Sequence, residues 1–438
     1  MIIKKLFLLS FLFSLILNSS FGQELYFPSV DTEEWETLSP EQLGWNPEYV
    51  DNLHHFLDSS QSKAFILLKD GKIVLEWYFG EFTTDSVWYW ASAGKGMTAF
   101  LTGILQSEGL LDIEDPTNMY LGDGWTQAPK EKEDLITIRH QLSMVSGLND
   151  LIPERDCTLP SCLEYLEDPE QRWAYYNAPY TLITNVLEEA SNLPLNLLLF
   201  NRISRKTGIN AAYIPIDFNR IVFSRPRNFV RFGLLMLAEG NWDGEELITD
   251  TSYFNQMINS SQELNKSYGY LWWLNGKESF MLPQLQFVFN GLLFPDAPSD
   301  TYAALGLNGQ ILNVTPSQNL VFIRMGNNPG GAAVPVSLNN DIWTYLNKLS
   351  TTSVSEIEET DSFITVYPNP ATEWLHIDHP ENISSVKVEL VCPLGKRVLV
   401  TNDKRISVHG MSPGMYLLKI TADSSVQTQK ILILSPTR

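Results

Sequence analysis

Residues 350–362 of this chain are rich in Ser, Thr, Asp and Glu and hold almost no large apolar side chain. A stretch of that kind reads as a solvated linker, so the chain on either side must build two separate cores. The segment before it is long enough for one large domain, 23–349, in a chain of 438 residues. The segment after it, 363–438, carries short alternating apolar runs at 363–366, 374–377, 386–390, 397–400, 415–420 and 430–434. Turns lie between these runs, and the spacing predicts a small β-sandwich.

The first 22 residues read as a signal peptide. Lys4 and Lys5 precede an apolar run at 6–17, and Ser20 and Gly22 supply small residues before a cleavage point at Gln23. The run is too short to span a bilayer comfortably, and no later stretch is apolar enough, so no transmembrane anchor is expected. The formal net charge is -21, which would repel phosphate backbones and excludes nucleic acid as a natural partner. Of three cysteines, Cys157 and Cys162 are near neighbours and Cys392 is remote. In an exported protein the near pair can close a small disulfide loop, with two free thiols as the alternative. No second Cys pair or His lies close by, so neither zinc nor any other cofactor is expected.

Within 23–349 the segment 47–57 has helical character. Runs at 64–68 and 73–78 flank Asp70-Gly71, a strong hairpin turn. Met97, Phe100, Leu101, Ile104 and Leu105 then recur at helical spacing, with Gly109 as a natural stop. A helix and its exit are expected over 138–148, and further helices from Pro179 and at 229–237. Strands are expected at 302–305, 310–314 and 320–325. The order predicts an α/β (α+β) fold, an antiparallel sheet flanked by helices, beside a helical region.

The segment that carries chemistry is Trp88-Tyr89-Trp90-Ala91-Ser92-Ala93-Gly94-Lys95. Ser92 opens the amphipathic helix, and Lys95 falls on the same face one turn later. A serine hydroxyl is a weak nucleophile until a base takes its proton. A lysine there can do so when neutral, and the helix N-terminus offers N–H groups where an oxyanion would form. A four-residue pattern recurs by chance as an N-cap serine with a surface lysine. Its place after a hairpin and at the head of an apolar helix argues for the functional reading.

Together with Tyr175-Tyr176-Asn177 and Ala304-Leu305-Gly306, this segment resembles the serine β-lactamase and penicillin-binding-protein superfamily, in its class C β-lactamase, esterase and nylon-oligomer hydrolase branch. The resemblance covers about 64–347. It implies Ser92 as nucleophile, Lys95 as its partner and Tyr175 as general base, with Tyr176 as the adjacent rival. A phenol serves as base only where nearby cationic charge lowers its pKa, and Lys95 could supply that charge. The resemblance also implies that Asn177 binds substrate and the lysine, and that Gly306 lets substrate approach. The Leu307 and Ser92 N–H groups would then form the oxyanion hole. Ala304 departs from the pattern, because it stands where the family places a cationic or imidazole residue. A β-lactam carboxylate would lose its usual partner, so the expectation leans to an ester or amide as the small-molecule substrate. A β-lactamase or D-Ala peptidase on the same nucleophile, or a noncatalytic binding protein on the fold, are the alternatives. His140 sits in an apolar run and reads as structural.

The tail has a resemblance of its own. Val366-Tyr367-Pro368-Asn369-Pro370, Gly395-Lys396 and Gly414-Met415-Tyr416 resemble the C-terminal sorting domain of type IX secretion substrates. That implies the type IX secretion machinery as a partner and a secreted or cell-surface destination, reached through the periplasm.

Overall fold

The computed structural model describes residues 25–327 and 333–350, and, after the linker, 364–369, 371–379, 386–391, 397–412, 414–422 and 425–433. The proposed signal peptide, nearly all of the linker and Cys392 lie outside the described residues. The chain divides into two compact units, before and after Thr352.

The first unit is built on one antiparallel sheet. Strand β1 (Ser62–Lys69) and β2 (Lys72–Tyr78) form the expected hairpin. Asp70 and Gly71 both take left-handed backbone, φ 52° and 82°, which the right-handed twist of a two-residue hairpin requires. Gly71 has a second reason to be glycine, since a Cβ there would meet the Tyr26 carbonyl oxygen. The later strands are β3 (Trp273–Leu274), β4 (Tyr302–Gly306), β5 (Gln310–Thr315) and β6 (Leu320–Gly326). Their order across the sheet is β2-β1-β6-β5-β4-β3, all antiparallel.

Both faces of the sheet are covered, so its central strands are apolar throughout rather than alternating. Every residue from Ala64 to Leu68 is fully buried, and so is all of β6 except a trace of Leu320. Helices α1 (Pro47–Ser59) and α6 (Val336–Leu349) cover one face, and α5 (Pro226–Leu237) the other. Asn46 caps α1 by accepting from Glu48 N, with Pro47 in the first turn where its missing N–H costs nothing.

The helical region carries α2 (Lys95–Ser107), α3 (Ile138–Leu142) and α4 (Asn177–Ser191). Helix α3 and its exit fill the expected 138–148. The exit turns at Met144 (φ 60°) and Gly147 (φ 77°). One small sheet escaped the sequence reading. Ala211–Ile216 pairs with Asn219–Ser224, which pairs with Trp88–Tyr89. Pro215 and the exposed Ile214 and Ile216 hide the alternation that marks a strand. Among the described residues no helix is long and apolar enough to cross a membrane.

The second unit pairs a three-stranded sheet (Thr365–Tyr367, Trp374–Asp378, Arg405–Ser407) with a four-stranded one (Arg397–Thr401, Val386–Val391, Gly414–Ala422, Ser425–Ile433). Leu375, Ile377 and Ile406 of the first share one core with Val388, Leu390, Leu418 and Ile420 of the second, so the unit is a small β-sandwich.

Candidate active site

Ser92 lies in a tight turn, Ala91–Gly94, that leads directly into α2. Ala91 is held at φ 47°, a left-handed conformation that costs a non-glycine residue about 1–2 kcal/mol. Its neighbour Trp90 is fixed from three sides. Its backbone N–H donates to Val222 O (2.8 Å), its indole N–H to Ser224 Oγ (2.8 Å), and its ring stacks on Phe229 at 4.2 Å. Strain of this kind persists where the surroundings over-determine it, and it re-aims the next side chain, here Ser92, out of the packed core.

Lys95 follows one turn later with only 3% of its surface exposed. Its Nζ lies 2.9 Å from Ser92 Oγ and 2.9 Å from Asn177 Oδ1. It also stands over the rings of Tyr180 (4.3 Å) and Tyr175 (5.0 Å). Burial disfavours the ammonium and brings the pKa down to about 7, against a smaller upward pull from Asp156. Asn177 is oriented in turn, because its Nδ2 donates to Asp156 Oδ1 at 2.8 Å. Asp156 was not singled out from the sequence. Nothing local marks it, since it lies 21 positions from the residue it holds.

Tyr175 and Tyr176 are adjacent in extended backbone, so they point opposite ways. Tyr175 faces Ser92, its ring stacked on Trp273 at 5.7 Å and edge-on to Tyr268 at 6.2 Å. Tyr176 lies in a separate apolar cluster with Trp125, Leu148 and Leu163, its hydroxyl directed to Cys162 O at 3.4 Å. Burial pushes the Tyr175 phenol well above its usual range, and a hydrogen bond with Ser92 pulls it down only in part. The direction is opposite to the lowering that a cationic Lys95 would cause. An amine whose pKa lies near 7 is already neutral where a phenol titrates, so it supplies no charge to offset the lost hydration.

The end of β4 closes against the nucleophile turn. A Cβ on Gly306 would sit 2.4 Å from Trp90 O and 3.1 Å from Ser92 N, so only glycine admits this approach. Leu307 begins the following turn, and Ser92 stands second in its own. The first N–H groups of such turns have no partner inside them, which suits both to an anionic oxygen. A buried arginine pins the loop. Arg324 donates to Gly309 O (2.8 Å), Asn308 O (3.2 Å), Ser60 O and Asn327 O (both 2.6 Å), and to Ser62 Oγ (3.0 Å). Gln310 adds bonds to Leu307 O and Gly326 O. Arg324 was not flagged from the sequence, where a charged side chain in an apolar strand carries no sign of its partners. Ala304 is buried within β4, so the sheet offers no cation at that position.

Ser92, Tyr175, Asn177 and Leu307 line one cleft of about 180 Å³, with Arg155 and Gln284 among its other walls. Cys157 is bonded to Cys162 just beyond Asp156. His140 is remote from this cleft. Its Nδ1 accepts from Thr137 N at 3.1 Å and caps α3. Larger depressions, of about 440 and 360 Å³, lie along α1 and α6; the first is lined by His55 and Ser59, whose hydroxyl donates to Phe56 O at 2.9 Å within its own helix.

A serine hydroxyl with a buried amine 2.9 Å away has the parts that acyl transfer needs. Residues 52–343 match the family model for beta-lactamase, two thirds of the chain. The chain belongs to the beta-lactamase family. The family is one of beta-lactamase-fold serine hydrolases. Among solved structures, a protein described as "Putative 6-aminohexanoate-dimer hydrolase from Bacillus anthracis" is similar at 18% identity and a TM-score of 0.54, over 74% of this chain and 88% of that one. A penicillin-binding-protein homolog from Caulobacter crescentus is similar at 14% identity and a TM-score of 0.53, over 68% and 96%. At these identities the likeness is one of fold. No curated protein matches the chain. Residues 365–434 match the model for a secretion system C-terminal sorting domain, so this beta-lactamase relative is a secreted or cell-surface protein.

Proposed function

We propose that the chain is an exported serine acyl hydrolase, an esterase or amidase, working through an acyl-enzyme on Ser92. One observation carries the reading: the Lys95 amine stands 2.9 Å from Ser92 Oγ, and burial brings its pKa to about 7. Near neutral pH a large fraction is free amine, which can accept the Ser92 proton as Oγ attacks the carbonyl. Asn177 holds the amine in place. Tyr175, protonated at neutral pH, then donates toward the leaving group, so its part is a proton relay beside Lys95. The Ser92 and Leu307 N–H groups receive the oxyanion, and water releases the acyl group in a second, equivalent step. Ala304 supplies no cation from the sheet, and esters or amides are the substrates proposed. The sorting unit is read by the type IX secretion machinery and removed on export.

The test is a panel of p-nitrophenyl esters and anilides, with nitrocefin and a fluorescent penicillin beside them. Ester or anilide turnover that vanishes in Ser92→Ala, together with fluorophosphonate labelling of Ser92, is the expected result. Labelling that persists in Ser92→Ala would remove the nucleophile assignment. Nitrocefin turnover exceeding that of the esters would favour a β-lactamase instead. No labelling at all in the wild type would leave a binding protein on this fold.

A further inference from the structure

Among the described residues that line the Ser92 cleft, Arg155 is the one that bears a formal charge. Its companions there are neutral, and Pro283, Leu307 and Val334 are apolar. Among the described residues its guanidinium has no hydrogen bond, ion pair or ring contact. That is unusual in this molecule. Acidic residues outnumber basic ones 51 to 30. Arg172, Arg220 and Arg227 are all tied to carboxylates, at 2.9, 2.6 and 2.7 Å. Asp156, its immediate neighbour, is turned to Asn177 instead.

A guanidinium is a rigid fork of donors matched to a carboxylate, and it gains most from that partner where apolar walls exclude water. The cleft is small, so a group bound at Arg155 lies only a few bonds from a carbonyl at Ser92. We infer that Arg155 is a specificity residue and that the natural substrate is an ester or amide bearing a carboxylate near the scissile carbonyl. Arg155 arises from the loop before α4, on the helical side of the cleft, whereas Ala304 belongs to the sheet. The inference rests on the acyl-hydrolase reading above.

The experiment compares p-nitrophenyl hydrogen glutarate with its methyl-capped ester, in wild type, Arg155→Met and Arg155→Lys. The wild type should prefer the acid, and Arg155→Met should lower the acid-to-ester ratio of kcat/KM by about 10- to 100-fold, chiefly through KM. Arg155→Lys should restore part of the ratio, because the charge returns without the fork. No preference in the wild type, or equal losses on both esters, would overturn the inference. Binding is read separately from chemistry, by titrating monomethyl glutarate and dimethyl glutarate into Ser92→Ala with and without Arg155→Met. Loss of monomethyl glutarate binding alone supports the role of Arg155 even if no ester is turned over, and identical binding in both proteins refutes it.

Discussion

Gly306→Ala separates the geometry of the site from its side-chain chemistry. The residue has ordinary extended backbone, φ -128°, so alanine meets no conformational penalty. The cost is steric. The new Cβ would stand 2.4 Å from Trp90 O, where contacts below 3.0 Å force a shift, so β4 and the nucleophile turn must part by about 0.6 Å. Trp90 is fixed by two hydrogen bonds and a stacked ring, and Arg324 fixes the loop beyond Gly306. The shift therefore falls on the spacing between the Ser92 and Leu307 N–H groups. Losing one oxyanion donor costs about 100- to 1,000-fold in kcat, and a displacement of under an ångström should cost about 10- to 100-fold. Overpacking one methyl also lowers stability by about 1–3 kcal/mol. Stopped-flow kinetics on a p-nitrophenyl ester, with a urea melt on the same protein, reads both quantities. A variant that folds and keeps wild-type kcat would refute the claim that this approach sets the oxyanion geometry.

Three further outcomes are expected. The kcat/KM for a neutral ester should rise with pH and reach half its plateau near pH 7, because Lys95 accepts a proton only above its lowered pKa. Lys95→Met should lower activity by about 100- to 10,000-fold and remove the inflection, whereas a flat wild-type profile from about pH 5.5 to 8.5 would exclude Lys95 as base. His140 is held neutral in the fold, its pKa brought to about 4 by burial and by Arg139. The unfolded chain then takes up this proton first, so stability falls as pH drops from about 6.5 to 4, by about 2 kcal/mol; His140→Gln should flatten that part of a denaturation midpoint-against-pH curve. Arg324→Met should cost about 3 kcal/mol in urea melts and lower kcat as well, since it strands the carbonyls of Gly309 and Asn327 and frees the loop carrying Leu307.

Much of the site was legible before any coordinates. Ser92 and Lys95 are three residues apart at the head of an apolar helix, and helical geometry alone puts them on one face. The hairpin at Asp70-Gly71 and the three late strands follow from turn chemistry and from apolar runs of the right length. The choice between Tyr175 and Tyr176 was not legible. Adjacent residues in extended backbone face opposite sides, and which side meets Ser92 depends on Trp273, almost a hundred positions away. Asp156, Arg155 and Arg324 were invisible for the same reason, as their meaning lies in what they touch or fail to touch.

Short-range order is thus written in residue spacing: the two cores, the nucleophile and its amine, and the glycine at the end of β4. Long-range pairing decided the rest. Strand β1 lies against β6 across some 250 positions, with Ala64 opposite Met325, and this register brings Gly306 beneath Ser92. No local pattern encodes such a meeting. It follows from the one arrangement in which both faces of the sheet are covered and the buried Arg324 finds its carbonyl partners.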